Sequence, residues 1–588
     1  MVSTYFSPGQ HKIIIYQLLV RLFGNTKSRN KSYGTINENG CGKFNDITEK
    51  ALLELNKLGA THIWFTGVLE HSTLTDYKKH GIIADNPYIV KGRAGSPYAI
   101  RDYYDVCSDF AMDVDQRVLE FEALLNRTHQ SGMKAIIDFV PNHVARSYRS
   151  DKKPNGIIDF GEQDYATVLF HPDNNFLYLQ GEAFKIPDDY IPLGGNSLPK
   201  SKNKFTEFPA RVTGNDVYSA QPSSNDWFET IKLNFGIDPN PPHQCFFDPI
   251  PNTWQMLLDI ILYWCKKGVD GFRCDMAEMV PPEFWEWLIP CVKTHFPEVI
   301  FIAEIYKPEL YERYIDKGCF DYLYDKVKLY DTLTALLRGQ SVADNLTACA
   351  QSVDKYPERL LNFLENHDEE RLAWSGFTGD GKCAIPAMVV CATISKGPVM
   401  IYSGQEVGEP GEGNLGFAGA RGRTTIFDYA GIPKHQLWMN KGKFDGAKLD
   451  QTSKELRVFY SLLLNLCKDN IAISEGSFYD LQYINRFNQS EGYDEKFIYS
   501  YLRYTEKYRV LIVVNFNKMD SYKVAVKIPE AAWLCMKLNL NKKYRFSDLL
   551  SSNYDANFVA KEIANVKDRD AGVYIEIPAM GAYILKID

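Results

Sequence analysis

The chain has 588 residues, 45% of them hydrophobic and 24% charged, a globular balance that excludes a disordered or fibrous protein. Its 66 basic and 74 acidic side chains leave a net charge of −8, so no bulk electrostatic attraction favours nucleic acid or an anionic membrane as a partner. At roughly 150 residues per domain the length allows about four domain-sized units, or fewer if one is a large barrel.

The first apolar run is Ile13–Val20. Tyr16 and Gln17 interrupt it, no basic cluster precedes it and no small-residue cleavage site follows, so it reads as a buried strand and not as a signal segment. Asp46 with Glu49 reads as a capping box, ahead of a helix with Ile47, Ala51, Leu52, Leu55 and Leu58 on one face. A second run is His62–Phe65. Val118, Phe121, Leu125 and His129 repeat the helical spacing before a third run, Ala135–Phe139. After His143 comes an excursion rich in Pro, Gly, Asn and Asp. It is too long for a structureless loop, so residues 144–234 are expected to form an inserted subdomain.

Five more runs follow: Gly271–Asp275, Val299–Glu304, Phe320–Tyr324, Leu360–Leu364 and Val399–Tyr402. Apolar runs without strict alternation mark parallel strands covered on both faces. Eight of them alternating with helices predict a (β/α)₈ TIM barrel, an α/β fold built from residues 1–143 and 235–440. The rival is a doubly wound open sheet. It is weakened because no Gly-x-Gly-x-x-Gly or Walker-type loop follows any strand. Past residue 440 a helix near Lys454–Cys467 precedes β-rich segments at Phe497–Tyr504, Tyr508–Phe516, Tyr522–Ile528 and Val573–Ile587. These predict a C-terminal antiparallel β-sandwich over residues 441–588. The 12 cysteines lie apart, without the spacing of a zinc site, which fits a reducing cytoplasm. No stretch approaches the roughly 20 apolar residues that span a bilayer.

Three carboxylates stand where strands end: Asp275 after Gly271-Phe-Arg-Cys, Glu304 after Val299-Ile-Phe-Ile-Ala, and Asp368 after Leu364-Glu-Asn-His. One such acid is commonly a solvated side chain or a helix cap. Three at the C-terminal ends of barrel strands converge on one pocket, on the face that carries catalysis in this fold. Glycoside hydrolysis needs such a set: a nucleophile or base, an acid, and stabilisation of an oxocarbenium-like state. Arg273 lies two residues before Asp275, on the same side of the strand, where a guanidinium favours the ionised carboxylate. Glu304 follows five apolar or small residues, and desolvation there is expected to keep a proton on it. His143 and His367, at the third and seventh strand ends, are placed to hydrogen-bond sugar hydroxyls.

Four short motifs occur in order along the chain: Asp138-Phe-Val-Pro-Asn142-His143, Gly271-Phe-Arg273-Cys-Asp275, Ile302-Ala-Glu304 and Asn366-His367-Asp368. With them the sequence resembles glycoside hydrolase family 13, the α-amylase family, over essentially its whole length. The resemblance implies Asp275 as nucleophile, Glu304 as general acid/base, and Asp368 as the carboxylate that orients and distorts the bound sugar. It implies that His143, Arg273 and His367 line the subsite on the non-reducing side of the cleaved bond, and that Tyr98 stacks on that sugar. The sequence also departs from the family. Glu278-Met279 stands where many members carry Lys-His, which leaves the acceptor preference open. The late motif of the insertion reads Ile231-Lys-Leu-Asn234, with Lys232 where the family's calcium aspartate often sits. Structural calcium is therefore disfavoured and no cofactor is expected. Val280-Pro-Pro-Glu-Phe-Trp-Glu-Trp-Leu288 resembles members that transfer maltosyl units.

The expected function is retaining hydrolysis of α-1,4 bonds in maltooligosaccharides, glycogen or starch. Transglycosylation on the same carboxylates is the alternative, and a non-catalytic glycan-binding protein is the reading of a different class. An α-glucan or maltooligosaccharide is the expected partner.

Overall fold

A computed structural model describes residues 12–195, 204–352, 355–413, 416–550, 561–563 and 572–588. The eight apolar runs become eight strands: β1 (Ile14–Leu19), β2 (His62–Thr66), β3 (Lys134–Phe139), β4 (Gly271–Cys274), β5 (Ile300–Ala303), β6 (Tyr322–Tyr324), β7 (Leu360–Phe363) and β8 (Val399–Tyr402). They pair in parallel and in sequence order, and β1 pairs with β8 to close the barrel. Alternate residues point inward. Ile15, Trp64, Ile136, Ile302, Tyr322, Tyr324, Leu361, Phe363 and Met400 pack together as the barrel interior. The intervening residues, such as Ile63, Phe65, Ile137, Phe272 and Phe301, pack in the larger core outside it. Each large apolar side chain fully buried this way contributes about 1.5–3 kcal/mol. Gly271 opens β4 because strands crowd there: a Cβ would sit 2.7 Å from Ile300 Cγ1.

The first outer helix spans Glu49–Leu58, and its cap differs from the expected one. Thr48 is the N-cap, its hydroxyl accepting the Ala51 N–H at 3.3 Å. Asp46 instead accepts the Lys43 N–H at 2.8 Å, holding a separate short turn. Thr48 wins because its side chain lies one residue before the helix, where the first N–H groups point.

Two excursions leave the C-terminal mouth of the barrel. After β2, Leu69–His71 pairs antiparallel with Ile100–Val106. This ladder was not evident in the sequence, because Arg101, Asp102 and Asp105 break the apolar pattern yet are buried. Burial is offset by partners: Asp105 receives Arg117 Nε at 2.9 Å on both oxygens, and Asp102 receives the Ser150 hydroxyl and three backbone N–H groups. After β3, His143–Ala145 pairs with Thr230–Lys232, with His143 opposite Lys232. The insertion thus leaves and returns through one short ladder.

A helix at Gln451–Asp469 leads into the C-terminal region. There Ser477–Asp480, Ile498–Tyr504, Arg509–Asn515, Ala582–Ile587, Tyr544–Asp548 and Lys561–Ile563 form one antiparallel sheet in that order, and Tyr522–Val526 pairs with Val573–Ile577 in a second. Leu511, Val513 and Leu585 of the first sheet pack with Val524, Val526 and Ile575 of the second. The segment expected as one β-rich stretch at Val573–Ile587 is thus two strands in different sheets.

Candidate active site

Strand parity places the catalytic candidates. On β4, Phe272 and Cys274 face the outer helices, so Arg273 and the following Asp275 face the barrel mouth. Arg273 stands in register with Asp138 of β3 and Ile302 of β5. The pairing continues past the strand ends: the Asp275 N–H donates to Phe139 O at 2.8 Å and the Glu304 N–H to Cys274 O at 3.1 Å. Both carboxylates are therefore carried on backbone that is still laddered.

Arg273 is 1% exposed and organises the centre. Its Nη1 lies 2.7 Å from Asp275 Oδ1 and 3.6 Å from Asp138 Oδ1, and its Nη2 lies 2.7 Å from Glu304 Oε1. The guanidinium carbon sits 5.4 Å from the Trp64 ring centre and 5.2 Å from that of Tyr98, and Nε reaches the Tyr324 hydroxyl at 3.3 Å. Burial pushes Asp275 upward from the usual carboxylate range, and the guanidinium opposes it. Asp138 is pushed up to about 6 by burial, opposed by Arg273, the Gly67 N–H and Trp64.

The setting of Glu304 corrects an expectation. Its carboxylate does not meet an apolar pocket: Oε1 accepts the Tyr306 hydroxyl at 2.7 Å, and Oε2 accepts the Met276 N–H at 2.8 Å. The apolar residues before it line the barrel below, whereas the carboxylate projects among donors at the mouth. Met276 delivers its N–H because it adopts a left-handed conformation (φ 44°) immediately after Asp275, a strained setting for a residue with a Cβ.

Asp368 follows β7 at the same mouth, half-buried, with its Oδ2 3.1 Å from His367 Nε2. The Asn366 side chain fixes the turn by accepting the Asp368 and Glu369 N–H groups at 2.8 and 2.9 Å. His367 contacts Gln17 Nε2 through Nδ1 at 2.8 Å and the Tyr98 hydroxyl through Nε2 at 2.5 Å. Burial, with Arg273 adding to it, lowers His367 to about 3. Burial and Lys232 do the same to His143. Both rings are neutral near pH 7. His143 packs 5.2 Å from the Trp227 ring.

The structure thus brings Tyr98, Arg273, Asp275, Glu304, His367 and Asp368 together, with His143 at the foot of the insertion. Sequence reading assigned no role to Gln17, Trp64, Asp138, Tyr306 or Tyr324. Asp138 opens a motif already noted, and that was its available signal. The others look like core residues until the barrel closes. A cleft of about 470 Å³ opens beside His367 and Asp368, lined among others by Tyr190, Phe417, Arg421 and Arg423.

A closed (β/α)₈ barrel with three carboxylates at its C-terminal mouth, two of them on one arginine, has the architecture of a barrel glycosidase. The chain belongs to the α-amylase family: the family model described as the alpha-amylase catalytic domain matches residues 17–199 and 249–496. Alpha-amylase MalA of Haloarcula japonica is 22% identical over 86% of this chain, and the chain spans 55% of that relative's length. An alpha-1,4-glucan:maltose-1-phosphate maltosyltransferase of Cereibacter sphaeroides is 37% identical, over 15% of this chain and 16% of the relative. The crystal structure of a maltogenic alpha-amylase, AmyB of Thermotoga neapolitana, shares the fold with a TM-score of 0.58 at 18% identity, covering 98% of both chains.

Proposed function

We propose that this protein hydrolyses α-1,4-glucosidic bonds of maltooligosaccharides, glycogen or starch with retention of configuration. The observation that carries the reading is the single buried guanidinium of Arg273, 2.7 Å from both Asp275 and Glu304. An Asp275 oxygen attacks the anomeric carbon as its bond to the leaving oxygen breaks, and Glu304 gives that oxygen a proton. In the second step water attacks the same carbon, its proton passes to Glu304, and Asp275 is released. Asp368 orients the sugar, and Tyr98 and the neutral His143 and His367 flank it. The carboxylates of a retaining pair stand about 5–5.5 Å apart, which suits two acids that share one guanidinium.

Transfer to a sugar hydroxyl uses the same steps with a different acceptor. The partial maltosyltransferase likeness and the Glu278-Met279 departure support keeping it as the second reading. A non-catalytic glycan-binding role is disfavoured by the convergence of all three acids. Product analysis on maltoheptaose, with and without added acceptor, tests the choice. Hydrolysis gives only shorter products, unchanged by acceptor; transfer gives products longer than the substrate. A β-anomeric first product in NMR would refute retention.

Calcium is not part of this reading. Where barrel and insertion meet, the residues do not fit the ion. Lys232 Nζ lies 2.5 Å from Asn142 Oδ1, 3.0 Å from Asp216 Oδ1 and 3.3 Å from the Met279 carbonyl. These oxygens already converge on one positive charge, and a divalent cation beside an ammonium is repelled. Asp188 and Asp189, two further acids of the insertion, accept from Gln221 and Ser224 at an exposed edge. The twelve cysteines are all unpaired, which supports a reducing, cytoplasmic setting.

A further inference from the structure

Glu278 occupies the short turn Ala277–Met279, three residues after Asp275. Its side chain is only 10% exposed. Its Oε2 accepts the backbone N–H groups of Tyr306 at 3.0 Å and Lys307 at 3.2 Å. The nearest basic side chain to it is Lys307, whose Nζ is 3.9 Å from Oε1. The carboxylate is therefore used on the main chain, and it ties the turn after β4 to the turn after β5. Tyr306, held by that tie, donates its hydroxyl to Glu304 Oε1 at 2.7 Å.

We propose that Glu278 is a positioning residue for Glu304: it fixes the backbone of residues 306 and 307 so that the Tyr306 hydroxyl stays on Oε1, and this pair sets the pH at which Glu304 holds its proton. The inference rests on the reading of Glu304 as general acid. A donated O–H favours the ionised carboxylate, so an acid that loses it keeps its proton to higher pH. Carboxylate-to-backbone hydrogen bonds are charge-assisted and hold their geometry well, which suits Glu278 to anchoring. Among the described residues, the other charged or titratable groups facing the Glu304–Tyr306 pair are Arg273 from β4, Asp275 just after it, Tyr324 from β6, and His367 and Asp368 after β7. None of these is altered in the variants below.

The test is the pH profile of kcat/KM on maltoheptaose. Tyr306→Phe is expected to move the alkaline limb upward by roughly one pH unit. Glu278→Ala moves it the same way by a smaller amount, and Glu278→Gln, which keeps an acceptor for the two N–H groups, restores most of the wild-type limb. The double variant moves no further than Tyr306→Phe alone, as residues acting through one contact do. Should Glu278→Ala not fold, Glu278→Leu, which keeps the bulk, carries the same expectation. Variants that lose activity equally at every pH, with the limb unmoved, would overturn the inference while leaving the hydrolase reading intact. A wild-type enzyme without turnover on glucans would overturn both.

Discussion

Arg273 Nη2 lies 2.7 Å from Glu304 Oε1, while the other terminal nitrogen of the same guanidinium lies 2.7 Å from Asp275 Oδ1. The two acids proposed as nucleophile and general acid are thus referenced to one buried charge. Asp275→Asn preserves shape and keeps a hydrogen-bond acceptor for Arg273, but removes the proposed nucleophile. We expect kcat to fall by roughly three orders of magnitude or more, with affinity for maltooligosaccharides changed by less than about tenfold. Steady-state kinetics and calorimetric binding check this. Wild-type turnover would remove Asp275 from its role.

Glu304→Gln cannot protonate a leaving oxygen. Activity on glucans should collapse, while a substrate with an activated phenolate leaving group should retain far more of its first-step rate, because that group departs without a proton. Comparing burst rates on the two substrates decides the matter, and equal losses would exclude Glu304 as the acid.

Lys232 bridges Asn142, Asp216 and Met279. Exhaustive chelation should therefore leave the melting temperature and activity unchanged, and metal analysis should find less than one calcium per chain. Lys232→Met should destabilise by about 1–3 kcal/mol, since buried acceptors on Asn142 and Met279 lose their donor. One tightly held calcium whose removal lowers the melting temperature sharply would sink this expectation.

Five buried histidines each favour the unfolded chain in acid. Burial holds His62, His71, His143, His367 and His435 at about 3, against an ordinary 6.5. Between those values each of these sites binds more protons in the unfolded chain than in the folded one, so the stability it contributes is full above pH 6.5 and is lost as pH falls toward 3. Asp102, Asp138 and Asp325, pushed up to about 6 by burial from an ordinary 3.8, act in the opposite sense between 6 and 3.8. Burial raises other carboxylates too, Glu70 and Asp275 most strongly, so each histidine is read through its own variant, where one unmatched proton changes stability by about 1.4 kcal/mol per pH unit. His435→Gln, remote from the catalytic carboxylates, should remove one such contribution, so the urea unfolding midpoint of the variant should gain on that of the wild type from pH 7 to pH 5. A difference between variant and wild type that is the same at pH 7 and pH 5 contradicts the account.

The barrel was legible in the sequence because a parallel strand buried on both faces has no polar side to obscure it, as Ile300–Ala303 and Val399–Tyr402 show. The strand Ile100–Val106 was not, because its burial depends on polar partners far along the chain, such as Asp151 for Arg101 and Ser150 for Asp102. The three carboxylates stood out as isolated charges ending apolar runs. Trp64 and Tyr324 did not, since a ring facing the centre of a barrel and a ring facing an outer helix read alike. Glu278 registered only as a departure from a familiar pattern. What it does instead depends on a turn 28 residues away.

Closure of the barrel by β1 against β8 aligns Ile14 with Val399. Contacts of such sequence separation form slowly, because the loop between them must lose its freedom before the pairing compensates. Until about 400 residues have emerged from the ribosome, β1 remains an open parallel edge with apolar side chains on both faces. Such an edge is an aggregation hazard. Chaperone dependence and low-temperature expression are therefore expected to govern the yield of this protein more than its final stability does.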